Sequence, residues 1–336
     1  MAALGIAHIE LYVNDIESAL EYLVSSFGFT PEAVSGPDKE NPNESVLLSQ
    51  GSIRLIVTAG PGTSEFLSSH GDGVADIALT CDDLAATVDA AGTAVLRGFG
   101  DVRHTLLPAT ASRSGAWPDG RRWAPYPAAR HQVGGRPRGP ARQLDHVAIC
   151  VPAGTLARYA DLYRATLGLV RYSSEYVDFG GHAMDSVVVR SPSGGITFTL
   201  VAPDSAKGPG QLDAFLDRNG GPGVQHLAYS VPDIIAAVGE FRRWGVEFLS
   251  TPEIYYDMLA DRLPDMRAGI NDLRAAGVLA DRDEWGHLFQ LFTQSPYERN
   301  TLFYELIQRR GARGFGSANI RSLYEAVDRA ERLAAG

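Results

Sequence analysis

One pattern, a strand followed by a helix, recurs along the chain and limits its fold more than any other feature. HIELYVNDIESALEYLVSSFGF, residues 8–29, matches HVAICVPAGTLARYADLYRATLGL, residues 146–169. GDGVADIALTCDDLAATVDAAGTAV, residues 71–95, matches GPGVQHLAYSVPDIIAAVGEFRRWGVEF, residues 221–248. Each copy alternates apolar and polar residues, then has a polar helix cap and an amphipathic stretch. Because both patterns occur once in each half, we expect two domains of similar architecture.

Short apolar runs such as SVLLSQ, IRLIVTA, SVVVRS and ITFTLVA lie between the helical stretches and are typical of strands. The sequence therefore predicts an α+β protein with paired βαβββ modules in curved mixed sheets. Residues 112–143 are rich in Pro, Gly and Arg and have no period, so we interpret them as a linker with an irregular excursion. We place the first domain at 1–111 and the second at 144–336, where NIRSLYEAVDRAERLAAG predicts a terminal helix.

Composition excludes several classes of function. The chain has 336 residues, of which 45% are hydrophobic, which is enough for two cores. Its formal charge of −10 argues against a nucleic-acid surface. No apolar run approaches the roughly 20 residues that span a bilayer, and MAALGIAHIELYV does not resemble a signal peptide. We therefore expect a cytoplasmic protein without membrane contact, and we interpret Cys81 and Cys150 as core residues.

A histidine stands in one module and is missing from its counterpart. GVQHLAYSVPDI carries His226 where GVADIALTCDDL carries Asp76. His146 occupies the equivalent position of the other module, and Glu305 interrupts the apolar run TLFYELI. Two imidazoles and one carboxylate on one face of a metal leave neighbouring positions open, as in non-haem Fe(II) oxygenases. A buried, unpaired Glu305 would be costly, and a divalent cation would remove that cost.

The first half lacks this set of ligands. Its matching positions are His8, Asp76 and Thr105, so we expect the domain at 1–111 to be free of metal. A lone histidine in a strand is more often an ordinary core or rim residue than a ligand. We interpret six of them in that way: His8, His70, His104, His131, His182 and His287.

Several longer segments resemble one known family. LDHVAICV, GPGVQHLAYSVPDI, LADRDEWGHLFQLFTQS and TLFYELIQRRGARGFGSANIRSLYEAV are similar, in this order, to segments of the 4-hydroxyphenylpyruvate dioxygenase and 4-hydroxymandelate synthase family. The resemblance is dense over the second half and looser over the first. It implies the vicinal oxygen chelate fold, with Fe(II) held by His146, His226 and Glu305. It also implies O2-dependent oxidative decarboxylation of 4-hydroxyphenylpyruvate, whose own pyruvate arm binds the metal.

The family forms two products that a few residues distinguish. Within DSVVVRSPSGGITFTLVAPD the dioxygenases, which make homogentisate, typically have Pro and Asn where this chain has Thr199 and Val201. They also have a Phe at the position of Ile320. The departures resemble the synthases, which hydroxylate the benzylic carbon to give 4-hydroxymandelate. We expect the smaller, less polar pocket to let the ring tilt and bring that carbon to the reacting oxygen.

The same motifs imply the other residues of the site. We assign catalytic roles to Gln290, Gln225 and Ser186, and substrate contacts to Gln211, Thr199, Val201, Phe292, Phe303, Phe315 and Ile320. Three alternatives stay open, namely the homogentisate-forming dioxygenase, a two-domain ring-cleaving dioxygenase, and a small-molecule-binding protein of the same fold without catalysis. The oligomeric state is also open, with a homodimer among the choices.

Overall fold

Two mixed β-sheets, one from each half of the chain, form the framework. The computed structural model describes residues 1–39, 41–84, 94–112, 117–118, 120–127, 130, 138–179, 181–316, 318–319 and 321. Within these residues each sheet has eight strands. This confirms the α+β prediction of two curved mixed sheets.

The first sheet contains strands β1 to β8. Their bounds are Ala3–Tyr12, Thr30–Ser35, Glu44–Gln50, Ile53–Ala59, Gly73–Cys81, Ala94–Phe99, Val102–Pro108 and Trp123–Pro125. Their order across the sheet is β6-β7-β5-β1-β4-β3-β2-β8. The neighbouring inner strands β1 and β5 are antiparallel, and each also has a parallel neighbour, β4 for β1 and β7 for β5.

The second sheet contains strands β9 to β16. Their bounds are Gln143–Cys150, Val170–Asp178, Ala183–Arg190, Thr197–Pro203, Gly223–Ser230, Leu279–Arg282, His287–Phe292 and Phe303–Arg310. Their order is β10-β11-β12-β9-β13-β16-β15-β14. The central pair β9 and β13 is again antiparallel, with β12 and β16 as parallel neighbours. The pairing of β1 with β5 and their parallel neighbours in the first sheet is thus repeated in the second.

A helix follows the first strand in three of the four modules, as the repeated pattern predicts. The described helices α1 to α7 are Ile16–Leu20, Ser64–His70, Leu156–Leu167, Gln211–Asn219, Ile234–Arg243, Glu253–Arg262 and Ile270–Ala276. Asp15 caps α1 by accepting hydrogen bonds from the amides of Glu17 and Ser18. Asp233 caps α5 in the same way through the amide of Ala236.

The described structure departs from the predicted plan in two places. The second module of the first half has three described strands, and the helix predicted after β5 falls within residues 85–93, outside the described residues. The segment 112–143, predicted as a linker, contributes β8 to the first sheet and the first residue of β9 to the second. The sequence did not predict β8, because this strand has three residues and no alternation of apolar and polar side chains. The terminal helix after 321 also lies outside the described residues.

One hydrophobic core runs through both halves. Phe27 of the first half packs against Phe241, Tyr304 and Tyr229 of the second, with ring centroids 4.6, 5.1 and 5.8 Å apart. Because these large rings are buried, the interface between the halves is apolar and packed like the interior of a domain.

Two further expectations can be checked against the described residues. The cysteines Cys81 and Cys150 are buried and free, which confirms their interpretation as core residues. Among the helices that the structure describes, none is long and apolar enough to cross a membrane.

Candidate metal centre

Three neighbouring strands at the middle of the second sheet bring His146, His226 and Glu305 together. In the pairing register, Ala228 of β13 lies opposite His146 of β9 on one side and opposite Glu305 of β16 on the other. His226 is two residues before Ala228 and therefore points to the same face. The small methyl group of Ala228 leaves room for the three longer side chains to converge above it.

The donor atoms of the triad lie within hydrogen-bonding distance of one another. His146 Nε2 is 3.3 Å from both His226 Nε2 and Glu305 Oε2, and His226 Nε2 is 3.2 Å from Glu305 Oε2. The exposed fractions of the three side chains are 4%, 14% and 3%. Among the described residues, this is the group of titratable side chains whose geometry suits a metal ion.

The three side chains of the triad change one another's pKa values, as expected for groups that share one site. Burial would raise the pKa of Glu305, but hydrogen bonds from His146 and His226 outweigh it and lower the pKa to about 2. Burial opposes the charged form of His146, yet bonds to Asp145 and Glu305 raise its pKa to about 9. Burial dominates at His226 and lowers its pKa. The carboxylate is thus charged at neutral pH and ready to bind a cation.

The outer nitrogens of both imidazoles are held by neighbouring side chains. His146 Nδ1 lies 2.9 Å from Asp145 Oδ1, so its N–H donates to that carboxylate and leaves Nε2 facing the centre. Arg309 in turn donates two hydrogen bonds of 2.8 Å to the carboxylate of Asp145. His226 Nδ1 lies 3.3 Å from Gln225 Oε1, so the predicted site residue Gln225 lies beside His226 of the triad.

Aromatic rings surround the two imidazoles. Phe303 stacks on His226 with centroids 5.1 Å apart, and Phe292 meets the same imidazole edge-on at 5.9 Å. Phe315 meets His146 edge-on at 5.2 Å. The three phenylalanines named from the sequence as apolar walls therefore lie at the triad.

Strands β11 and β12 extend the same inner face. Thr199 pairs with Ala148, which is two residues after His146, so its side chain points to the triad's side of the sheet. Its buried hydroxyl has no hydrogen-bond partner among the described residues. Val201 pairs with Ser186, whose hydroxyl donates to a backbone carbonyl. These three predicted residues therefore share the triad's face, and the Thr199 hydroxyl is free to meet a ligand.

The remaining predicted residues have different surroundings. Gln290 is 1% exposed, pairs with Ile307 on the triad's face, and accepts a hydrogen bond from Asn319 at 3.2 Å. Gln211 is exposed at the first residue of α4, and no described contact joins it to the triad. Ile320 lies outside the described residues.

Sequence reasoning missed the pair Asp145 and Arg309. Two signals were present: Asp145 directly precedes His146, and Arg309 falls on the same alternation as Glu305 in β16. These signals did not predict the ion pair, because Asp145 and Arg309 are 164 positions apart and only the pairing register of the sheet brings them together.

Most of the other histidines behave as ordinary core or rim residues. His131 lies outside the described residues. Four bond to protein groups, namely His70 to Asn219 and Asp101, His104 to Tyr163, His182 to Gly208, and His287 to Asp265.

Two of the three matching positions of the first half, Asp76 and Thr105, are hydrogen-bonded to each other. Asp76 accepts hydrogen bonds from both the amide and the hydroxyl of Thr105, the counterpart of Glu305. The neighbouring Glu10 is paired with Arg121 and accepts from Thr58. Both carboxylates are therefore hydrogen-bonded by protein donors instead of facing an imidazole pair.

Comparisons with known proteins agree with this architecture. A model of the Glyoxalase/Bleomycin resistance protein/Dioxygenase superfamily matches residues 7–96 and 145–262. The chain is 30% identical to 4-hydroxyphenylpyruvate dioxygenase of Yarrowia lipolytica, covering 97% of this chain and 91% of that protein. It is 29% identical to the Danio rerio protein of the same name, covering 97% and 90%.

A solved structure is more similar still. A variant of 4-hydroxymandelate synthase from Streptomyces coelicolor superimposes with a TM-score of 0.84 at 46% identity, covering 98% of this chain and 99% of that one. The resemblance inferred from the sequence motifs is thereby confirmed. The chain belongs to the Glyoxalase/Bleomycin resistance protein/Dioxygenase superfamily and, within it, to the family of 4-hydroxyphenylpyruvate dioxygenases and 4-hydroxymandelate synthases.

Proposed function

We propose that the chain is an Fe(II)-dependent dioxygenase that converts 4-hydroxyphenylpyruvate and O2 into 4-hydroxymandelate and CO2. The observation that carries the proposal is the convergence of His146, His226 and Glu305 on one point of the sheet. The similarity to a 4-hydroxymandelate synthase supports the choice of substrate and product.

The donor set fits a divalent metal. Ligand atoms bound at about 2.1 Å and at right angles to each other lie about 3 Å apart. The 3.2–3.3 Å separations of the triad are close to that value. Two imidazoles and one carboxylate, with no thiolate, suit Fe(II) and leave one face open for other ligands. Asp145 and Gln225 would hold the imidazoles in the orientation that such binding requires.

Bound Fe(II) would supply open coordination positions for the 2-oxo acid arm and the redox chemistry with O2. The chain's own residues bind and orient the substrate. Phe292, Phe303 and Phe315 exclude water around the reacting atoms and offer apolar surfaces to the aromatic ring. The unpartnered hydroxyl of Thr199 can donate to the substrate, which would satisfy a buried group that is otherwise costly.

The benzylic product is supported by the side chain at position 201. Val201 is 7% exposed and packs with Cys150 and Phe215, so this part of the inner face is apolar and offers no amide to the substrate. A second candidate function is ring hydroxylation to homogentisate. It is supported by the relatives named 4-hydroxyphenylpyruvate dioxygenase, which are 30% and 29% identical to this chain.

The test is aerobic turnover of the Fe(II)-loaded chain with 4-hydroxyphenylpyruvate, followed by chromatography against both standards. Separation is needed because homogentisate and 4-hydroxymandelate are isomers. We expect 4-hydroxymandelate from the native chain and from an exposed control, Glu298→Ala, and no product from Glu305→Ala. Homogentisate as the main product would refute the benzylic assignment, and turnover by Glu305→Ala would refute the metal site.

A further inference from the structure

The segment 311–316 directly follows β16 and brings Phe315 to the triad, and we call it the strap. Within the described residues the strap belongs to neither a helix nor a strand. The side chains of His146 and Glu305 are nevertheless only 4% and 3% exposed, so the triad is closed to solvent. The position of Phe315 must therefore be fixed by contacts that regular secondary structure does not supply.

Asp283 lies in the turn between β14 and β15 and accepts four backbone hydrogen bonds. Two come from the strap, where the amides of Arg313 and Gly314 donate to Asp283 Oδ2 at 2.6 and 2.8 Å. The other two come from its own turn, where the amides of Trp285 and Gly286 donate to Oδ1 at 2.9 Å each. Burial alone would raise the pKa of Asp283, but these hydrogen bonds outweigh burial and lower the pKa. One carboxylate thus joins the turn to the strap.

The turn and the strap approach each other so closely that glycine is required on both sides of the contact. A Cβ atom on Gly286 would lie 2.0 Å from the carbonyl oxygen of Arg310, and one on Gly311 would lie 2.5 Å from that of Trp285. Gly311 also has a φ of +90°, which favours glycine. Beside this contact, the Arg313 guanidinium lies 4.9 Å from the centroid of the Trp285 ring. Side chains and backbone of the two segments therefore both fit this contact.

Arg309 holds the other side of the strap and connects it to the triad. Its guanidinium donates to the carbonyl oxygen of Gly314 at 2.6 Å and lies 5.0 Å from the centroid of the Phe315 ring. The same guanidinium binds Asp145, which accepts a hydrogen bond from His146. A strap that moved would therefore disturb both the ring that contacts His146 and the residues that orient this imidazole.

We propose that Asp283 is a positioning residue of the metal centre, which holds the strap so that Phe315 stays against His146 and water is kept from a metal bound there. No described contact joins Asp283 to the triad itself, so it acts only through the strap. Hydrogen bonds to a charged acceptor are roughly twice as strong as neutral ones, which suits a carboxylate in this role. The effect on the metal rests on the proposed function, whereas the hold on the strap does not.

The first test is hydrogen–deuterium exchange of the metal-free full chain, followed by mass spectrometry of peptides that contain the strap. Asp283→Asn replaces one acceptor oxygen by an NH2 group, so we expect the amides of Arg313 and Gly314 to exchange roughly tenfold faster or more. Asp283→Glu keeps the carboxylate and should show an intermediate rate, also if Asp283→Asn does not fold. Glu284→Gln changes an exposed carboxylate of the same turn and should exchange as the native chain does. Native exchange rates in Asp283→Asn would overturn the proposal.

The second test separates positioning of the metal centre from a purely structural role. Mn(II) takes nitrogen and oxygen ligands, and the relaxation rate of water protons around the Mn(II)-loaded chain reports how readily water reaches the ion. Glu305→Ala should not bind Mn(II), which places the ion at the triad. We expect Asp283→Asn to raise the relaxation rate, and Glu284→Gln to leave it unchanged. Phe315→Ala should also raise it, but should leave the exchange of the strap amides slow.

The outcomes of the second test distinguish this inference from the proposed function. Mn(II) binding with a native relaxation rate in Asp283→Asn would leave the metal site intact and overturn the positioning role. If the native chain does not bind Mn(II), the metal site and the positioning role fail together.

Discussion

Asp145→Asn is the sharpest perturbation of the metal centre, because it keeps the shape of a side chain and removes the charge that orients a ligand. Asp145 accepts from His146 at 2.9 Å and from Arg309 at 2.8 Å through each oxygen. Removing such an outer partner typically weakens metal binding 10- to 100-fold. We therefore expect a loss of about 1.4 to 2.7 kcal/mol in metal-binding free energy.

The assay is an anaerobic competition titration of Fe(II) between the protein and a chelator of known affinity. Asp161→Asn, an exposed change on α3, is the matched control and should bind like the native chain. Adding Arg309→Met to Asp145→Asn should restore folding stability, because the unpaired guanidinium is removed, but should leave metal binding weak. An affinity for Asp145→Asn within twofold of the native value, in a folded protein, would refute the role of Asp145.

Three other outcomes are expected. The pKa of His146 is about 9 in the metal-free fold, against 6.5 for a free imidazole. The contribution of protonated His146 to the free energy of unfolding is therefore complete below pH 6.5 and is lost as the pH rises to 9. Denaturant unfolding of metal-free protein should show a decline of up to about 3 kcal/mol over that range, and a flat profile would contradict it. Val201→Asn combined with Ile320→Phe should shift chromatographed product toward homogentisate, and an unchanged ratio would reject the pocket argument. Thr199→Val should raise KM about tenfold without loss of thermal stability, whereas an unchanged KM would show that its hydroxyl does not meet substrate.

The repeated modules and the triad could be predicted because both depend on local patterns. His146 and His226 occupy equivalent positions of two modules, and Glu305 interrupts an apolar run, so each signal is visible in the sequence itself. The Asp145 and Arg309 pair could not be predicted, since it depends on a register between strands far apart in the chain. Gln211 was singled out by a motif, but its exposure at the start of α4 follows from helix placement.

The aromatic contact between the halves gives the first half a structural role next to the triad. Tyr304 directly precedes Glu305 and points to the opposite side of β16, where its ring lies 5.1 Å from Phe27 and 6.1 Å from Tyr22 of the first half. A cut between the halves would expose these rings to water and loosen the strand that carries the carboxylate. We therefore expect a separately expressed second half to aggregate or to bind Fe(II) more weakly than the full chain, even though the aromatic residues of the first half lie on the opposite side of β16 from Glu305.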